Sequence, residues 1–193
     1  MMEIPILGNM NLQNNMNNKI CFTTKDIALA GMMIAVIEVC KVALSFLPNI
    51  ELTTFWLIMF TLYFGRKVAA VVPAFILVEG VVYGMNTWWI MYLYIWPLLV
   101  FITWIFRKED SALFWGIVSG IFGLCFGMLC SITYFFIGLS SGGVVAGFNT
   151  AFSWWVSGIM WDMVHCAGNF TFMVVLYTPI KNVMKTIAYR TNC

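Results

Sequence analysis

Five ionisable side chains that could bind a ligand or transfer protons lie inside apolar segments of this sequence. They are Glu38, Lys41, Glu79, Asp162 and His165. A charge in an apolar medium is costly unless it is paired or hydrated, so such residues usually face the interior of a helix bundle or a cavity. At about 1.5 Å of rise per residue, Glu38, Lys41, Glu79 and Asp162 fall in one half of their segments. We therefore expect a polar cavity in that half.

Glu38, Lys41 and Glu79 also have structural interpretations. Glu38 and Lys41 are three residues apart and share a helical face, which is typical of an ion pair. Glu79 has no partner within one turn of its own segment. A ligand contact and a hydrogen bond between helices are equally good interpretations of Glu79.

The segment WWVSGIMWDMVHCAGNF has one polar and aromatic side. Trp155, Asp162 and Asn169 recur every seven residues, and His165 lies one turn after Asp162. For Asn169 we favour hydrogen bonding between helices. For Trp155, Asp162 and His165 we favour contact with a ligand.

Aromatic residues cluster near the ends of three segments. They are Tyr83, Trp88, Trp89, Tyr92, Trp154 and Trp155. Trp and Tyr collect at membrane interfaces without any ligand, but this cluster is also large enough to wall a pocket. Aromatic walls beside a few polar groups suit a planar heterocycle.

The sequence contains few motifs typical of catalysis or cofactor binding. The single histidine cannot build the usual zinc site without Cys or carboxylate help, and neither an HExxH nor a Walker sequence occurs. The scattered cysteines form no CxxC pair, so we interpret them as packing residues. We expect no metal, no cofactor, no ATPase activity and, at a net charge of +2, no nucleic-acid partner. An enzyme using Asp162 and His165 as an acid/base pair is the weaker alternative.

The composition excludes an ordinary soluble domain. Hydrophobic residues make up 62% of the chain and charged residues 9%, against about 25% charged in soluble domains. A span needs about 20 apolar residues, so the chain has room for some six spans. We expect helices at residues 26–47, 52–65, 68–84, 88–106, 112–137 and 153–178. Residues 1–21 are predicted to be a flexible tail and residues 22–193 a single domain, an integral membrane bundle of six helices.

The basic residues predict the orientation of this bundle. With a cytoplasmic N-terminus, nine of the ten basic residues fall inside and only Lys41 does not. The nine are Lys19, Lys25, Arg66, Lys67, Arg107, Lys108, Lys181, Lys185 and Arg190. This asymmetry requires an even number of spans, with both ends cytoplasmic. The cavity then opens outward, and the Arg66–Lys67 pair marks a tight hairpin.

One long connection and one row of glycines also have predictable roles in the bundle. The longest outer connection is GLSSGGVVAGFNTAF, residues 138–152, which fits a mobile segment over a site or a plain flexible loop. In the fifth segment, Gly116, Gly120, Gly123 and Gly127 share one face, which lets another helix approach closely.

Several stretches taken together resemble the substrate-binding S components of energy-coupling factor (ECF) vitamin transporters. They are GMMIA in the first helix, PNIELTT, FGRK, WDMVHCAGNF and LYTPIKNVM. The resemblance implies a binding subunit in the bacterial plasma membrane, without ATPase activity of its own. Its implied partners are a transmembrane coupling subunit and two cytoplasmic ATPases. Gly31 and Ala35 match the small-residue motif that meets the coupling subunit.

The resemblance also implies where the vitamin binds. The outer regions used in that family contain, in this chain, Asn49, Glu51, Trp88, Trp89, Tyr92, Asn149, Trp155, Asp162 and His165. To these the residue pattern adds Glu79. The family further implies that the loaded subunit topples within the membrane. Members that handle cobalt or nickel begin with Met-His, whereas this chain begins Met1-Met2, which argues against a metal substrate.

The sequence therefore predicts the substrate-specific subunit of an importer for a water-soluble vitamin or vitamin precursor. Glu38, Glu79 and Asp162 outnumber Lys41, so a neutral or cationic ligand is favoured over a polyanion. The alternative is a stand-alone secondary transporter, proton-coupled through Glu79 or Asp162.

Overall fold

A computed structural model describes residues 23–191, of which 89% are helical, with no strand in that range. The predicted tail, residues 1–21, lies outside the described range. The helices are α1 (Thr24–Leu44), α2 (Thr53–Phe64), α3 (Val68–Tyr83), α4 (Thr87–Ile105), α5 (Ala112–Leu124) and α6 (Phe126–Thr191), with a 3-10 turn at Gly65–Lys67 between α2 and α3. The prediction of an all-α fold is confirmed.

Four helical runs are long and apolar enough to cross a membrane, where six spans were predicted. The runs are Thr24–Leu44, Thr53–Tyr83, Thr87–Ile105 and Ala112–Thr191. The second run contains α2 and α3, whose 12 and 16 residues are about 18 and 24 Å long, shorter than a hydrocarbon core of about 30 Å. Large apolar side chains are exposed on several of the described helices, as in Val39, Val81 and Phe148.

Ion pairs at both ends show that α1 and α3 run in the same direction. Lys67 contacts Asp26 at 2.7 Å at the start of these helices, and Lys41 contacts Glu79 near their far ends. The chain must reverse twice between them. Gly65 makes the second reversal with a φ of 55°, a conformation that suits glycine. The predicted hairpin at Arg66–Lys67 is thus confirmed.

Two sections of the predicted helix pattern were wrong. The fifth predicted helix is interrupted at Cys125, which separates α5 from α6. Residues 138–152, predicted to be a loop, are helical except at Gly142 and Gly143, where α6 turns back on itself. Gly143 has a φ of 78°, which a side chain would oppose.

Two arms joined at Gly142–Gly143 form a long antiparallel hairpin. The first arm consists of α5 and the part of α6 before the turn, and the second arm is the part of α6 after it. Gly116 packs against Val174, and Gly127 against Asp162. Nearer the turn, the rings of Tyr134 and Trp154 stack at 4.6 Å. The predicted close approach at the four glycines of this arm is confirmed, because a Cβ at any of them would contact the opposite arm.

Lysine and acidic side chains join the helices at what we call the basic end, marked by the pairs Asp26–Lys67 and Asp110–Lys181. Tyr177 also donates to Asp110 at 3.0 Å. Burial raises the pKa of the Asp110 carboxyl, but the hydrogen bonds from Lys181 and Tyr177 outweigh it and leave the pKa below its usual value.

Candidate ligand-binding cavity

A cavity of about 940 Å³ lies at the end of the molecule opposite the basic end. Its walls come from α1, α3, α4 and α6, and its floor from the connection between α1 and α2. Asn49 and Trp161 both line it and are exposed, so the cavity opens to the surface. Its size is typical of pockets for small organic molecules, which span about 300–1,000 Å³.

The short helix α2 creates the depth of this cavity. The amide of Asn169 donates to Thr54 at 3.3 Å, so α2 begins beside the middle of the second arm of α6. The arms of α6 continue well past that level to Gly143. The connecting residues 45–51 therefore close the cavity from below, with Asn49 in a left-handed conformation (φ 56°) that asparagine tolerates.

Asp162 accepts a hydrogen bond from the start of α6, at the break between α5 and α6. At this break the first N–H groups of α6 have no partner inside their own helix. The N–H of Gly127 donates to Oδ1 of Asp162 at 2.9 Å, and the partial positive charge of the helix start favours a carboxylate there. Gly127 permits the contact, because a Cβ at that position would clash with the Asp162 carboxylate.

Two buried polar atoms in the same wall have no hydrogen-bond partner within the described residues. They are Oδ2 of Asp162 and Nε2 of His165. Both residues line the cavity and are about 5% exposed or less. Buried polar atoms are rarely left unpaired in proteins. These two atoms are therefore candidates for hydrogen bonds with a polar group of a bound molecule. The Phe126 ring packs edge to face against the imidazole of His165, with the ring centres 4.9 Å apart.

Lys41 on α1 forms an ion pair with Glu79 on α3 in the wall of the cavity. The ammonium also lies 5.4 to 5.7 Å from the ring centres of Phe75, Tyr83 and Tyr92, which are favourable cation–π distances. Glu79 is 1% exposed, so Lys41 offsets part of the cost of burying its carboxylate. The interpretation of Glu79 as a link between helices is supported, although it also lines the cavity. Lys41 pairs with Glu79 on α3 rather than with Glu38, so the predicted local ion pair was wrong, while Glu38 hydrogen-bonds to Glu79 and remains near Lys41.

The third carboxylate of the cavity belongs to Glu51, just before α2. The Thr53 hydroxyl donates to Oε2 of Glu51 at 3.2 Å. Glu51 precedes α2 by two residues, and its side chain does not cap that helix. Lys41 compensates Glu79 and the start of α6 compensates Asp162, whereas Glu51 has no cationic partner among the described residues. One uncompensated carboxylate favours a neutral or singly cationic ligand over an anionic one.

Aromatic rings complete the lining and offer flat contact surfaces. They belong to Tyr83, Trp88, Tyr92, Phe126, Trp154 and Trp161. Trp88 meets Tyr92 edge to face at 5.1 Å, and Trp154 is held by its stack on Tyr134. Aromatic rings from α3, α4 and α6 beside polar groups suit a planar molecule of mixed polarity.

The structure brings together seven of the ten residues predicted for the site. They are Asn49, Glu51, Glu79, Trp88, Tyr92, Asp162 and His165. The other three lie outside the lining. Trp89 donates from its indole to the carbonyl of Ile76 at 2.7 Å, Asn149 is exposed near the turn of α6, and Trp155 packs against Phe152 at 6.3 Å.

Trp154 and Trp161 line the cavity but were not among the ten residues predicted for the site, and Trp154 was named only as part of the aromatic cluster. They are seven residues apart, and Trp161 directly precedes Asp162. The stripe chosen from the sequence began one residue later, at Trp155, which turns the selected face by about 100°. Only the packing of α6 against its neighbours identifies the correct tryptophan.

Gly31 and Ala35 lie on the outer surface of α1. Both are exposed, and a Cβ at Gly31 would meet nothing within 4 Å. Only 17% of the apolar window of α1 is buried inside the molecule. This face is accessible to a partner helix.

Within residues 23–191 no cluster of three or more His, Cys, Asp or Glu residues could hold a metal ion. Comparisons with protein-family models, with curated proteins and with solved structures give no match for this chain.

Proposed function

We propose that this chain is a multi-pass protein of the cell membrane that crosses the bilayer six times with both ends in the cytoplasm. The alternating directions of the helices support the count, because the second and fourth apolar runs each contain a reversal, at Gly65 and at Gly142–Gly143. The basic end supports the orientation, because lysine and arginine favour the cytoplasmic side. The neighbouring helices and the deep cavity shield the short helix α2 from lipid.

We further propose that the protein captures a small, planar, water-soluble molecule and acts as the substrate-specific subunit of an ECF-type importer. The observation that carries this proposal is the aromatic-walled cavity of about 940 Å³ at the end opposite the basic end. Its carboxylates, of which Glu79 alone is paired with a lysine, favour a neutral or singly cationic ligand, such as a vitamin or a vitamin precursor, over a polyanion. The exposed Gly31 and Ala35 offer a place for the coupling subunit, which would bring the two ATPases.

Adjacent tryptophans give a matched test of the cavity. The ligand is first identified by mass spectrometry of molecules that co-purify with the protein. Trp154→Ala is expected to weaken its binding about tenfold, because the variant removes an aromatic wall worth about 1.4 kcal/mol. Trp155→Ala removes the same side chain one position outside the lining and is expected to change the Kd less than about twofold. Isothermal titration of both variants decides the matter, and equal Kd values would contradict the assigned site.

A proton-coupled secondary transporter is the second candidate, because Glu79 and Asp162 are buried carboxylates in the cavity wall. Reconstitution in liposomes separates the two. The isolated protein is expected to bind its ligand without transporting it, and uptake is expected only with the coupling subunit, the ATPases and ATP. Uptake by the isolated protein under a pH gradient would overturn the importer proposal in favour of the carrier.

A further inference from the structure

A second cavity, of about 480 Å³, lies between α2, α3 and α4 and shares no residue with the first. We call it the inner groove. Its lining residues are Thr61, Gly65, Arg66, Ala69, Val72, Pro73, Pro97, Val100, Phe101 and Trp104. Nearly all of them are apolar, and the hydroxyl of Thr61 already donates to the carbonyl of Leu57 at 2.6 Å. The inner groove therefore offers almost no polar group along its length.

Two prolines help to shape the inner groove. Pro73 lies inside α3 and Pro97 inside α4, and both are exposed toward the groove. A proline inside a helix lacks the N–H that would bond one turn back, and its ring pushes the preceding turn away. Because both prolines line the groove, α3 and α4 leave a concave surface between them. Two straight helices would instead pack side by side and close this space.

The inner groove ends at the basic end of the molecule. Arg66 lines its mouth, and Lys67 follows with its ion pair to Asp26. On α4, the guanidinium of Arg107 lies 5.0 Å from the ring centre of Trp104, which also lines the groove. One end is thus positively charged and aromatic, whereas the remainder is apolar.

We infer that the inner groove binds an anionic phospholipid, with an acyl chain along Val72, Val100 and Phe101 and the phosphate beside Arg66. An amphiphile with one negative headgroup and an apolar chain matches this distribution of charge, and basic sites between membrane helices on the cytoplasmic side bind such headgroups. The inference rests on the proposed membrane orientation, which places the basic end at the cytoplasmic leaflet. It assigns the protein a lipid site that is separate from its ligand cavity.

Native mass spectrometry of the purified full chain tests the inference, with phosphatidylglycerol and phosphatidylcholine added at equal concentrations. Phosphatidylglycerol is expected to bind at least about fivefold more tightly, since one basic residue near a headgroup is worth about 1 kcal/mol. Arg66→Gln is expected to remove this preference. Arg190→Gln removes a charge on α6, outside the inner groove, and is expected to preserve the preference. Equal binding of both lipids, or equal losses in the two variants, would overturn the inference.

A second variant tests the acyl-chain part. Ala69→Trp is expected to fill the inner groove and to lower retention of both lipids, while Trp154→Ala in the ligand cavity leaves lipid binding unchanged. Unaltered retention in Ala69→Trp would contradict a chain in the groove. Because ligand binding is measured separately on the Trp154 variant, failure of the lipid inference and failure of the importer proposal give different results.

Discussion

Lys41→Ala is expected to lower the free energy of unfolding by about 3–5 kcal/mol. The substitution leaves the carboxylate of Glu79, which is 1% exposed, without its ion-pair partner on α1. It also removes the ammonium from the rings of Phe75, Tyr83 and Tyr92. A buried charge that loses its only counter-charge costs more than the pair contributed, because its desolvation is no longer offset. Unfolding in detergent, followed by tryptophan fluorescence, measures the change.

Two matched variants show whether the ion pair is responsible. Lys25→Ala changes an exposed lysine on the same helix and is expected to shift the stability by less than about 0.5 kcal/mol. The double variant Lys41→Met with Glu79→Leu removes both charges and is expected to recover part of the loss, since apolar replacements of buried pairs are often neutral, whereas Glu38 loses its hydrogen bond to Glu79. A double variant as unstable as Lys41→Ala would show that the loss comes from packing.

Gly123→Ala is expected to destabilise the protein by about 1–3 kcal/mol, although alanine is the better helix former. A Cβ at Gly123 would lie 2.9 Å from the carbonyl oxygen of His165 and 3.0 Å from the amide nitrogen of Cys166. These are backbone atoms of the opposite arm, so a side-chain rotation cannot relieve the clash. The arms must separate, which moves His165 in the cavity wall. The midpoint temperature of thermal unfolding and the affinity for the ligand are both expected to decrease.

Gly31→Ala is the control for this experiment. A Cβ there meets nothing within 4 Å, and Gly31 lies inside α1, so the purified protein is expected to gain up to about 1 kcal/mol. Opposite signs in the two glycine variants would identify close helix approach as the role of Gly123. A gain in stability for both would mean that the arms adjust freely.

The first four helices were predictable because their apolar segments end at polar, glycine or charged residues. The predicted range 68–84 differs by one residue from α3 (Val68–Tyr83), for example. Residues 138–152 were not predictable in the same way. Glycine and serine favour loops locally, but Gly138 and Gly147 let the two arms of α6 approach so closely that a Cβ at either would clash with the opposite arm. Tertiary packing thus overrides the local preference.

The cavity was predictable to the extent that polar residues in apolar segments must face inward. Asp162 and His165 follow from that argument alone. The pairing of Lys41 with Glu79 does not, because it joins residues 38 positions apart, and sequence spacing favoured the local Glu38. The break at Cys125 also had no sequence signal, since the apolar character continues through it without interruption.

The contact between Asp162 and Gly127 has a consequence for how ligand specificity could change during evolution. The donor is a main-chain N–H, so the contact requires only Asp162 and a glycine at position 127, where any Cβ would clash with the carboxylate. Changes at Trp88, Trp154 or Trp161 would leave it intact. Related chains could therefore exchange the aromatic lining and acquire new ligands while inheriting the same cavity frame.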